Sequence, residues 1–140
     1  MELIRITPDR ERAMSLVDTV SVRLDAIRLL QKSDSRKFSS KIVEEYYESV
    51  LELITAIMSI DGFKVKTDSP GSHIAAIEYL QQNYREMEGH EIGMICDLRK
   101  KRTGITYYGR HVKEDYIESN KAEIERIIEK LRLLVRKKLE

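Results

Sequence analysis

The chain has 140 residues, 41% of them hydrophobic and 35% charged, and a formal net charge of +1. This length can bury a sizeable core, this apolar content excludes a disordered chain, and this charge excludes a protein that is basic over its whole surface. A single cysteine, Cys96, excludes an intrachain disulfide. No apolar run approaches the ~20 residues that span a bilayer, and Met1–Arg5 lacks the apolar core of a signal peptide, so a soluble, cytoplasmic protein with no membrane partner is expected.

A first helix is predicted from Thr7-Pro8-Asp9, with Thr7 as cap and Pro8 in the first turn, to about Gln31. Ala13, Val17, Val20, Leu24 and Ile27 recur at helical spacing and form its apolar stripe. After a polar connection, Ser39 or Ser40 caps a second helix that stops at Asp61-Gly62, where glycine can take the left-handed conformation. Val43, Tyr47, Val50, Ile54 and Ile57 make one stripe, and Ile42, Tyr46, Leu53 and Ile60 widen it. A face this broad belongs to a helix packed on more than one side, so the second helix is placed at the centre, with Tyr46 and Tyr47 as packing residues.

Asp68, Ser69 and Pro70 mark a turn before a third helix over about Ser72–Arg85, with Ile74, Ile77, Leu80 and Tyr84 inside. A short fourth helix spans about Glu91–Arg102, with Ile92, Ile95 and Leu98 on one face, and Gly104 and Gly109 interrupt the pattern beyond it. The last helix starts at about Lys113, with acids at its start, Arg136-Lys137-Lys138 at its end, and Ile124, Ile127, Leu131 and Leu134 inward. No strand is expected, because Gly104–Tyr108 is the one candidate and lacks a partner. The expected fold is all-α: one domain over residues 1–140, an up-and-down bundle of about five helices.

The segment Leu98–Lys113 stands apart, with six Lys or Arg, no Asp or Glu, and two of the six glycines. Arg99 and Arg102 are three residues apart and share a helix face, and arginine presents a fork of donors that matches phosphate. Tyr107 and Tyr108 can stack on a base, and Arg110 adds a further cation. The segment is therefore a candidate phosphate or RNA site. A plainer alternative is also physical: the cations end a helix where its dipole favours them, and Gly104 stops that helix. Glu44, Glu45, Glu48 and Glu52 lie on the second helix as a solvated face, or else one of them packs against the basic joint and orients its arginines. His73, His90 and His111 have no His or Cys at ligand spacing, and no nucleotide-binding glycine loop is present, so no metal or cofactor is expected.

Three segments resemble the HEPN family of small helical domains: Glu45-Tyr46-Tyr47-Glu48-Ser49-Val50, Asp61-Gly62-Phe63-Lys64-Val65-Lys66-Thr67 leading to a helix near His73, and Leu98 to Gly109 followed by an acid-started helix. The resemblance implies a helical homodimer with the motif at the dimer cleft, a minimal nucleotidyltransferase as partner in a toxin–antitoxin arrangement, and, in active members, metal-independent endoribonuclease activity. The family's signature is an arginine, usually followed by a polar residue, with four to six residues before a histidine. Arg102 matches the arginine and Thr103 the polar residue. Tyr107 stands where the histidine is expected, and His111 lies nine residues beyond Arg102. By this likeness the candidate catalytic residues are Arg102, Tyr107 and His111. Tyrosine is a poor base near neutrality, so the alternative is a non-catalytic bundle whose basic segment contacts a second subunit or another partner.

Overall fold

The computed structural model describes residues 3–66 and 71–140. Five helices dominate: α1 (Arg10–Asp34), α2 (Ser39–Asp61), α3 (Ser72–Asn83), α4 (Gly89–Tyr108) and α5 (Glu114–Leu139). The expected all-α bundle is the observed one, with one addition. Two short strands, β1 (Leu3–Arg5) and β2 (Phe63–Val65), pair antiparallel with Ile4 opposite Lys64. These strands differ from the strandless expectation, since three residues are too few for an alternating pattern to emerge in the sequence. The turn expected at Asp68, Ser69 and Pro70 lies outside the described residues.

Helix α2 is the axis of the fold. Both tyrosines of the pair, Tyr46 and Tyr47, are fully buried, together with Ile42, Val43, Val50, Leu53, Ile54 and Ile57. One apolar cluster joins these to Ala13, Val20, Leu24 and Ile27 of α1, Ile77 and Leu80 of α3, Ile92, Ile95 and Leu98 of α4, and Ile124, Ile127 and Leu131 of α5. Ile74 is the exception to its predicted stripe, since it is exposed at the start of α3. Among the described residues no helix is long and apolar enough to cross a membrane.

The helix ends explain the other departures. Asp9, not Thr7, caps α1, and its carboxylate accepts the Arg12 amide at 2.9 Å. Neither Ser39 nor Ser40 caps α2. Instead their hydroxyls reach across to the segment that precedes α5: Ser39 donates to the Val112 carbonyl, and Ser40 accepts the Val112 amide at 2.8 Å. Gly62 does end α2 as expected, at φ 87°, and its amide bonds back to Met58 and Ser59. A side chain there would also meet the Ile6 carbonyl at 3.0 Å, because Ile6 donates to the Gly62 carbonyl as the chain enters α1.

Helix α4 is longer than expected. Gly104 does not stop it: the helix continues about one turn further to Tyr108, and Gly109, at φ 60°, closes it. Glycine costs only about 1 kcal/mol within a helix, and tertiary contact outweighs that here. Gly104 is buried beneath Arg110, whose amide returns to the Gly104 carbonyl at 3.0 Å. Lys100, Lys101 and Arg102 are thus mid-helix residues, and the dipole account of their charge falls away.

Asp61, the last residue of α2, ties three helices together. It accepts hydrogen bonds from the Tyr79 hydroxyl at 2.6 Å, from the Tyr84 hydroxyl, and from Lys138 Nζ at 2.7 Å. Burial alone would raise its pKa, but these three donors outweigh burial and hold it below the ordinary value. A depressed carboxylate contributes stability that is present above the unfolded-state pKa, about 3.9, and lost as pH falls through the lower folded value. Asp61→Asn should therefore cost about 1–3 kcal/mol at neutral pH. Its denaturant midpoint should also lack part of the acid-side decline of the wild type. Equal midpoints for both proteins from neutral to acid pH would rule out this role.

Candidate nucleic-acid interface

The basic segment does not form one site. At ~100° per residue, Arg99, Arg102, Thr103 and Tyr107 fall on one sector of α4, and Asp97, Lys100, Lys101 and Gly104 on another, centred roughly 130° away. Each sector borders its own cleft, and the two clefts share no lining residue.

The first cleft, of about 300 Å³, lies between α4 and the start of α3. Arg99, Arg102, Thr103 and Tyr107 line one wall, and Gly71, Ser72, His73 and Ile74 the other. No carboxylate is among the described residues of this lining. Gly71, at φ 83°, begins α3, so the positive end of that helix dipole adds to the two guanidinium groups. Two residues of α2 support the cleft from behind. Glu48 Oε1 sits 3.4 Å from Arg102 Nη2. Tyr47 Oη and His73 Nδ1 are hydrogen-bonded at 3.0 Å, with the rings 5.7 Å apart. Of the two readings of the α2 acids, Glu48 thus fits the one that meets the basic joint. Glu45 and Glu52 instead hold Arg23 of α1, at 3.0 and 2.6 Å. A part-exposed pair such as Glu48–Arg102 adds little stability, about 0.2–1 kcal/mol, and its main effect is to fix where the guanidinium stands.

His73 is the cleft residue that sequence spacing did not single out. Burial pushes its pKa below the ordinary 6.5, Arg102 and Arg99 push it further down, and Glu48 opposes them. The imidazole is therefore neutral at physiological pH and can accept or relay a proton beside two guanidinium groups. Burial, and then the Glu48 charge, raise the Tyr47 phenol, which keeps it protonated as a hydrogen-bond partner.

The second cleft, of about 480 Å³, is bordered by Lys100, Lys101, Arg110, His111, Lys113 and Tyr116, with Asp97 as its carboxylate. Asp97 is occupied by the Tyr116 hydroxyl at 2.6 Å, and Lys101 lies over the Tyr116 ring at 5.2 Å. His111 is here, not beside Arg102. Its Nε2 and Nδ1 lie 3.3 and 3.1 Å from the hydroxyls of Ser39 and Ser40, so it fastens the segment before α5 to the start of α2. The structure therefore groups Arg99, Arg102 and Tyr107 together and places Arg110 and His111 elsewhere. Tyr108 borders neither cleft: it is 68% exposed, with the Arg110 guanidinium 5.1 Å from its ring centre. Tyr107 is 70% exposed at the mouth of the first cleft.

Among the described residues no three His, Cys, Asp or Glu side chains converge as a metal site. The chain matches no family model, no curated protein and no solved structure, so the likeness to the HEPN family stands on the motifs alone.

The charges around His73 act in opposite directions, which makes the arrangement measurable. In an NMR titration of the histidine ring protons, Arg102→Ala should move the His73 pKa up towards 6.5, and Glu48→Gln should move it further down. Shifts of the same sign in both variants, or none, would mean that His73 does not sit between these charges.

Proposed function

We propose that the protein is a HEPN-like nucleic-acid-binding protein that holds RNA or a nucleotide by its phosphate in the cleft between α3 and α4. The observation that carries this reading is the pairing of Arg99 and Arg102 with the N-terminal turn of α3 in a lining with no carboxylate among its described residues. Glu48 holds one arginine in place, and Tyr107 stands exposed at the mouth, where a base can stack on it. The motif likeness extends the reading to a homodimer that works with a minimal nucleotidyltransferase in a toxin–antitoxin-type system.

Endoribonuclease activity, if this cleft carries it, draws its imidazole from His73. That ring stands with Arg102, whereas His111 is engaged by Ser39 and Ser40 in the other cleft. In such a reaction Arg99 and Arg102 neutralise the phosphodiester, and a neutral His73 takes the proton of the ribose 2′-hydroxyl as its oxygen bonds to phosphorus; the P–O5′ bond breaks, the 5′-oxygen leaves with a proton from water, and a 2′,3′-cyclic phosphate remains. The competing reading makes the basic segment a subunit contact that pairs with Glu48 or Glu52 of a second copy. Within one chain, however, Glu48 already faces Arg102 and Glu52 already faces Arg23.

Fluorescence anisotropy with a labelled single-stranded RNA tests the binding. Arg102→Ala should weaken it about tenfold or more, in line with the ~1.5–3 kcal/mol of a charge-assisted hydrogen bond, and wild-type affinity should fall steeply with salt. Unchanged RNA affinity in Arg102→Ala, accompanied by a changed elution volume on size exclusion, would favour the subunit contact instead.

A further inference from the structure

We infer that the two clefts beside α4 form one continuous track for a single-stranded polynucleotide, crossing the helix over an exposed ridge of Lys100, Thr103 and Tyr107. This rests on the phosphate-binding reading of the first cleft and extends it, because it selects an oligonucleotide over a mononucleotide as the ligand.

The ridge follows from helical spacing. Lys100, Thr103 and Tyr107 stand at i, i+3 and i+7, a single line along α4. Thr103 and Tyr107 border the first cleft, and Lys100 borders the second, so the two linings meet along this line. Lys100 and Tyr107 are both exposed, so nothing apolar is buried there and a strand can pass. A helix with its side chains is about 10–12 Å across. One phosphate in the first cleft and another in the second must therefore be joined by several linked nucleotides, and a mononucleotide reaches only one.

The chemistry along the path is that of sequence-tolerant single-strand binding. Cations in both clefts neutralise phosphates, and an exposed tyrosine at the crossing offers a face to a base. In the second cleft Lys101, Arg110 and Lys113 face a single carboxylate, Asp97, which the Tyr116 hydroxyl already occupies. The Gly109 turn produces this cleft: it reverses the chain after α4 and lays Arg110 back over Gly104.

The test compares the dinucleotide UpU with a uridylate dodecamer, by NMR titration and fluorescence anisotropy respectively. The dodecamer should bind at least tenfold more tightly to the wild type. Its salt slope should also be steeper, by about 0.7 for each extra phosphate neutralised. The double variant Lys101→Glu, Arg110→Glu should lose about tenfold or more for the dodecamer while UpU binding stays within twofold, and Arg102→Ala should weaken both. If the wild type binds both oligomers with equal affinity and salt slope, the track is wrong, whatever the variants do. If the double variant keeps dodecamer affinity, the track is wrong but the first cleft stands. If Arg102→Ala changes neither ligand, the phosphate reading of the first cleft fails and the track fails with it. Because the length and salt comparison uses only wild-type protein, a misfolded variant does not blunt it.

Discussion

The burial of α2 is the constraint on which the rest of the molecule depends. Thirteen of its residues are buried, and they extend around the helix rather than along one stripe. Such a helix has to be enclosed, so α1, α3, α4 and α5 are arranged by what they cover on it. The short β-pair continues the same logic. It begins where Gly62 ends α2, and Asp61 beside that turn draws in the tyrosines of α3 and its exit together with Lys138 of α5.

The candidate site is built out of that enclosure. Tyr47 and Glu48 are neighbours on α2, one fully buried and the other at its edge. The first reaches His73 on α3 and the second reaches Arg102 on α4. Two adjacent residues of the central helix thus set the relation between the imidazole on one wall of the cleft and the guanidinium on the other. Burial and the nearby arginines keep the histidine neutral, while the carboxylate keeps one arginine from being wholly directed at solvent. The result is a cleft with two guanidinium groups and an uncharged imidazole in its lining, a combination chemically suited to phosphate esters.

Much of the fold was legible in sequence because it depends on periodicity. The stripes of α1, α2 and α5, the breadth of the α2 face and the Gly62 stop all follow from spacing and from glycine's freedom at positive φ. The end of α4 was not legible, because glycine is weak evidence for a helix stop. Gly104 instead serves the packing of Arg110, a contact made after the chain has turned. The serines at 39 and 40 look like caps locally but are recruited by a backbone segment more than seventy residues away. The candidate site divided in the same way. Arg99, Arg102 and Tyr107 could be grouped because one helix face groups them. His111 is close to them in sequence, yet the Gly109 turn carries it to the other cleft. His73 is distant in sequence and reaches Arg102 only through the docking of α3 on α4, and no spacing rule encodes that. Two features could have flagged it: its position at the start of a helix, and its place in the segment that leads out of the α2 stop.

The three histidines offer an internal control, because His73 lies in the first cleft, His111 in the second, and His90 is held apart by Glu88 and Glu123. The most direct measurement is an NMR titration of their ring protons in the wild type as UpU is added. His73 alone should shift, and its pKa should rise as a phosphate settles beside it, while His90 and His111 keep their positions. Shifts confined to His90 or His111, or no shift at any of the three at saturating UpU, would contradict the assignment of the α3–α4 cleft as the phosphate site.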